Sequence, residues 1–95
     1  MTPNLPRPLK ITTARTFFQR ARGLIGRPRL APDEALLIPH CNCIHTLFMR
    51  YAIDATFLDA EGRVVKTVVN IPPGRVCVWG GWRARAVVET AAREV

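Results

Sequence analysis

Ile53-Asp54-Ala55-Thr56-Phe57-Leu58-Asp59-Ala60-Glu61-Gly62-Arg63-Val64-Val65-Lys66-Thr67-Val68-Val69-Asn70 is a pair of β-forming runs around a turn. Both runs are rich in Val, Ile, Thr and Phe, which fit a pleated, half-buried surface. Asp59 stands at the first turn position and Gly62 at the fourth, the residues a type I turn favours there. The stretch therefore predicts a β-hairpin, 53–58 against 63–70. It sets the fold as β-rich.

Outward from the hairpin the pattern stays β. Ala35-Leu36-Leu37-Ile38 is an apolar run ended by Pro39, and Arg85-Ala86-Val87-Val88-Glu89 reads as a last strand. Ile71-Pro72-Pro73-Gly74 stops the second hairpin strand. Val76 to Arg83 fits strand or loop, with Trp79 and Trp82 around Gly80-Gly81. On the N-terminal side, Leu9 to Ala14 alternates as a short strand. Arg15 to Ile25 then predicts a helix, because Phe17, Phe18, Ala21, Leu24 and Ile25 share one face. Thr13 is its expected N-cap, and Gly23, Gly26 and Pro28 its stop. The expected class is α+β, mainly β: a small, largely antiparallel β sandwich or curled sheet with one N-terminal amphipathic helix. It occupies residues 9–95 as a single domain, after a flexible proline-rich arm at 1–8.

Bulk properties narrow the class. The chain has 95 residues, 48% of them hydrophobic, which suits one globular domain. No run approaches the roughly 20 apolar residues of a membrane span. Met1 to Lys10 holds three prolines and no apolar core of a signal peptide. The expectation is a cytoplasmic protein, away from membranes, with its three cysteines reduced.

The net charge of +7 is unevenly placed. Arg7, Lys10, Arg15, Arg20, Arg22, Arg27 and Arg29 precede the first acid, Asp33, and the remainder of the chain is balanced. Arginine suits bidentate phosphate contacts. Weak, non-specific binding of anions or nucleic acid by Arg15, Arg20, Arg22, Arg27 and Arg29 is one reading, and a solvated face is the other.

Several blocks, in order, resemble the DUF192 (UPF0127) family of prokaryotic proteins of unknown function. They are Arg22-Gly23-Leu24-Ile25, Glu34-Ala35-Leu36-Leu37-Ile38, Ile44-His45-Thr46-Leu47-Phe48-Met49-Arg50, then Ile53-Asp54, Phe57-Leu58-Asp59, Gly62 and Val64-Val65, and last Ala84 to Glu89. The resemblance covers roughly residues 10 to 90 and implies a mainly β, sandwich-like fold. It implies no activity, substrate or cofactor. Ala52 stands where a Pro is common, and the family's final hairpin is replaced by Thr90 to Val95. The strand at 84–89 is then expected to be an unpaired edge. It would self-associate or be capped by the tail.

The candidate chemistry lies in Cys41 to Asp54 and Glu89. Cys41, Cys43 and His45 alternate, so in an extended chain they share a face. A metal site is disfavoured, since side chains two apart on a strand stand ~7 Å from each other, wider than a tetrahedral zinc site takes. No metal or other cofactor is expected. The same spacing disfavours a thiolate of Cys41 or Cys43 activated by His45, the hydrolase alternative, and no oxyanion donor cluster adjoins them. The favoured class is a non-enzymatic binding or accessory module. For these polar residues the structural reading leads: Asp54 accepts bonds from a loop or from Thr46, and Glu89 pairs with Arg50. A ligand pocket of His45, Thr46, Met49, Asp54 and Glu89 is the second reading.

Overall fold

The computed structural model describes residues 10–16, 19 and 23–92. Its strands are β1 (Lys10–Thr13), β2 (Glu34–Pro39), β3 (Cys43–Ile44), β4 (Ile53–Leu58), β5 (Val64–Ile71), β6 (Val78–Trp79) and β7 (Ala86–Ala91). Five form one sheet in the order β1-β2-β7-β4-β5, and β3 and β6 form a small ribbon. Only β1 and β2 run parallel; every other pair is antiparallel.

The hairpin forms as its residues dictate. Asp59 Oδ1 accepts the N–H groups of Glu61 and Arg63 at 3.0 and 2.9 Å, and the Gly62 N–H closes the turn on the Asp59 carbonyl at 3.0 Å. Gly62 has φ +81°, a conformation glycine adopts without a Cβ penalty.

Alternation on the central strands separates two apolar faces. Leu36, Ile38, Ile53, Ala55, Phe57 and Val87 face the larger core, with Ala14, Leu24, Met49 and Ile71 packed among them. Ala35, Leu37, Leu58, Ala86 and Val88 form a second cluster on the opposite face. Ile44 and Val78 bring the ribbon onto the larger core. Beyond β6, the Gly80 N–H bonds the Asn42 carbonyl at 2.8 Å. Gly80 lies flat on the buried Phe57 ring, with no room for a Cβ.

The structure corrects four expectations. β7 is the centre of the sheet, bonded to β2 on one side and β4 on the other, so the edges are β1 and β5. Self-association through a C-terminal edge strand loses its basis, because the last strand has no open edge. Thr90 and Ala91 continue β7 instead of starting a capping tail. Cys43 and Cys77 are joined as a disulfide across the ribbon, Cα atoms 6.1 Å apart, where reduced thiols were expected. Strand spacing sets this pairing, and a sequence pattern without the topology does not reveal it.

No helix stands among the described elements. Of the helix expected over 15–25, residues 17, 18 and 20–22 lie outside the described residues, as does the arm at 1–8. The described part shows a capping box one turn later than expected. Thr16 Oγ1 accepts the Gln19 N–H at 3.1 Å, and Gln19 Oε1 accepts the N–H groups of Arg15 and Thr16 at 2.8 and 3.1 Å. Thr13, the expected cap, ends β1. Residues 23–26 form a turn.

Gly80→Ala drives a methyl group into the Phe57 ring, so it should destabilise the protein by roughly 3 kcal/mol, the upper range for overpacking. Urea unfolding measures this. A loss under about 1 kcal/mol would mean that the segment moves aside without cost.

Candidate functional site

The residues singled out in the sequence fold into separate roles. Thr46 is fully buried and anchors the loop after β5. Its Oγ1 donates to the Pro72 carbonyl at 2.7 Å and accepts the Arg75 N–H at 2.8 Å. Its backbone bonds Arg75 and Gly74 at 2.9 and 2.8 Å. His45 is half-buried, and its Nδ1 accepts the Leu47 N–H at 3.2 Å. Met49 is part of the larger core. Asp54 is 3% exposed and accepts the Asn70 N–H at 2.8 Å, which holds Asn70 at φ +54°.

Register divides Asp54 from Glu89. Glu89 is opposite Leu36 and Ala55, both on the larger-core face. Asp54 is opposite Thr90, one residue on, and therefore on the other face. The two carboxylates do not share a pocket. Cys43 is committed to Cys77, which removes it from a thiol–imidazole pair, and the Cys41 thiol donates to the Cys43 carbonyl at 3.2 Å. Among the described residues no three His, Cys, Asp or Glu side chains gather as a metal site.

A groove of about 620 Å³ opens beside these residues, between the 24–29 turn and the 48–51 segment. Arg27, Arg29 and Arg50 line it, with Leu24, Phe48 and Tyr51. Among the described residues none of the three arginines makes an ion pair. The Tyr51 hydroxyl lies 3.1, 3.2 and 3.4 Å from the carbonyl oxygens of Arg27, Pro28 and Leu24, and so pins the turn. The Arg29 guanidinium sits 5.8 Å above the Tyr51 ring. Phe48 is 83% exposed at φ +64°, an unusual backbone for a bulky side chain. Sequence reasoning named Arg27 and Arg29 only as part of a diffuse patch, and Arg50 only as a partner for Glu89. The turn that gathers them was legible only as Gly26 and Pro28.

Glu89 lies behind the groove. It is 3% exposed, and its Oε2 has no hydrogen-bond partner among the described residues. A Cβ on Gly23 would stand 3.2 Å from Oε1, so this glycine, at φ +53°, lets the turn close over the carboxyl. Burial raises the Glu89 carboxyl from the ordinary 4.5 to about 7. Burial also raises the Tyr51 phenol, and the charge of Glu89 adds to that.

The shift has a stability consequence. Between pH 4.5 and 7 the folded chain keeps a Glu89 proton that the unfolded chain has released. Stability is therefore greatest below the unfolded value, falls as pH rises, and levels off above the folded value. The loss is of the order of 3 kcal/mol. Glu89→Gln should flatten this slope, so that the variant gains on the parent as pH rises from 5 to 8. Melting curves across that range check it, and parallel curves would contradict it.

Comparison with known proteins agrees with the geometry at the level of fold. A protein of unknown function from Novosphingobium aromaticivorans superposes with TM-score 0.80 at 21% identity, over 88% of this chain and 64% of that one. A Sinorhizobium meliloti protein, described as a candidate transcription regulator, matches with the same score and identity over 88% of this chain and 69% of that one. The chain thus spans less than two thirds of the Novosphingobium protein. No curated protein matches it. The model of the DUF192 family, described as uncharacterized ACR, matches residues 2–95. The chain belongs to the DUF192 family.

Proposed function

We propose that this protein is a non-enzymatic binding module whose groove at Arg27, Arg29 and Arg50 takes a small anionic ligand. The observation that carries this reading is that three arginines, with no ion pair among the described residues, line one groove with an aromatic wall. Guanidinium forks match carboxylate and phosphate oxygens. Tyr51, with Arg29 over its ring, and the exposed Phe48 offer an apolar surface to the rest of the ligand. A backbone outlier that holds an aromatic ring in solvent supports a binding role more than a packing one. His45, Thr46 and Met49 set the backbone leading into the 48–51 segment, and Glu89 supports the turn from behind. They act on the ligand through this scaffold.

The hydrolase reading fits less well. Cys43 is oxidised, and His45 Nδ1 accepts a hydrogen bond from its own loop. Extended nucleic-acid binding has Arg27 and Arg29 in its favour, while Arg20 and Arg22 lie outside the described residues. A cytoplasmic location belongs to this proposal only as an expectation, and the disulfide weighs against it. No helix among the described residues is long and apolar enough to cross a membrane.

Thermal-shift titration with inorganic phosphate, pyrophosphate, citrate and adenosine monophosphate tests the proposal. At least one should raise the melting temperature in a saturable way, because a ligand bound only to the folded state stabilises it. Arg29→Ala and Arg50→Ala should each weaken that ligand about tenfold, roughly the loss of one charge-assisted hydrogen bond. No saturable shift with any of the four, or a shift unchanged in both variants, would refute the site.

A further inference from the structure

We propose that a second groove, between Trp82 and the 59–63 turn, binds a neutral polyhydroxylated ligand of the sugar class. This groove has a volume of about 460 Å³ and is lined by Asp59, Arg63, Gly80, Gly81, Trp82 and Arg83. It is distinct from the arginine groove, with which it shares no lining residue.

The first element is an aromatic platform. Trp82 is 84% exposed and Trp79 42% exposed. Their rings meet edge to face, centroids 5.1 Å apart. Solvent exposure of a ring that elsewhere dominates core burial is informative, because its apolar face gains by being covered. The Trp82 backbone is fixed, since the Arg85 guanidinium donates to the Trp82 and Ala84 carbonyls at 2.9 Å each. Gly81 has φ +98°, with nothing within 4 Å of where a Cβ would stand, so the space beside the ring stays open.

The second element is an incompletely bonded polar triad. Asp59 Oδ1 is used by the Glu61 and Arg63 N–H groups. The Arg63 N–H bond holds this carboxyl below its ordinary value, so it is a carboxylate at neutral pH. Oδ2 lies 3.6 Å from Arg63 Nε and 3.7 Å from Arg83 Nη2, beyond direct hydrogen-bond length for either. A group bridging these atoms must donate to the carboxylate and accept from a guanidinium. A hydroxyl does both. A phosphate or carboxylate would meet Asp59, and an ammonium would meet the two arginines.

Ion pairing separates this groove from the first. Asp59 stands near both Arg63 and Arg83, and Arg63 also pairs at 3.6 Å with Glu61, outside the lining. An aromatic face beside balanced donors and acceptors suits a sugar ring, whose C–H face covers indole while its hydroxyls bridge the charges.

The test is a titration of the full chain with glucose, galactose, mannose and N-acetylglucosamine, read by intrinsic fluorescence. The chain's two tryptophans are Trp82, which lines this groove, and Trp79, whose ring meets that of Trp82, so the signal reports on this region. At least one sugar should give a saturable change with Kd on the order of 1 mM. Trp82→Ala and Arg83→Gln should each weaken binding about tenfold by calorimetry, which needs no fluorophore, while Arg29→Ala should leave it unchanged. Trp82 is exposed, so its replacement leaves the core intact. The inference is overturned by no saturable change with any of the four sugars at tens of millimolar. Undiminished binding by Trp82→Ala, or an equal response to inorganic phosphate, also overturns it.

Discussion

Everything in this fold hangs on β7 being hydrogen-bonded on both sides and covered on both faces. A strand so placed must be apolar throughout or satisfy each polar group it carries. Ala86, Val87 and Val88 meet the first condition. Glu89 meets neither, since burial deprives its carboxyl of water and Oε2 gains no hydrogen bond among the described residues. The chain accommodates it by moving the proton equilibrium. Gly23 in the turn above and Tyr51 beside it are fitted around that carboxyl, so the turn that carries Arg27 and Arg29 takes its position from the centre of the sheet.

The two grooves follow from how loops leave the sheet. Tyr51 ties the 24–28 carbonyls to the segment preceding β4, which brings the N-terminal arginines to Arg50. Asp59 ties the hairpin turn together, and Gly80 lets the segment after β6 settle on Phe57, which sets Trp82 beside that turn. Among the described residues the arginines of one groove make no ion pair, whereas those of the other are paired with Asp59 and Glu61. Their ligand preferences are therefore expected to differ in kind, though both are built from arginine and aromatic side chains.

The strands were legible in the sequence because their signals are local. Alternation, β-branching and the Asp59–Gly62 turn act within a few residues, and β2, β4, β5 and β7 appear within a residue or two of their expected limits. Strand order was not legible, because a strand's burial on both faces says nothing about which neighbours bury it. Val87 and Val88 look alike at an edge and at a centre. The site followed the same rule. Asp54 and Glu89 each announce a buried carboxylate, and only the β4–β7 register shows that they face opposite ways. The Cys43–Cys77 bond was hidden for a related reason. Its partners are separated by 34 residues and meet only through the β3–β6 ribbon.

The central position of β7 also orders events during synthesis. β2 and β4 have no direct ladder with each other, and each waits for the strand that lies between them. Until residue 91 has left the ribosome, both present open edges and half of an uncovered apolar face. Before β7 docks, those edges are prone to pairing with other chains. Closure is a single late event that joins residues far apart in the chain, which makes it slow compared with local hairpin formation. Docking of β7 is the step that removes both open edges at once.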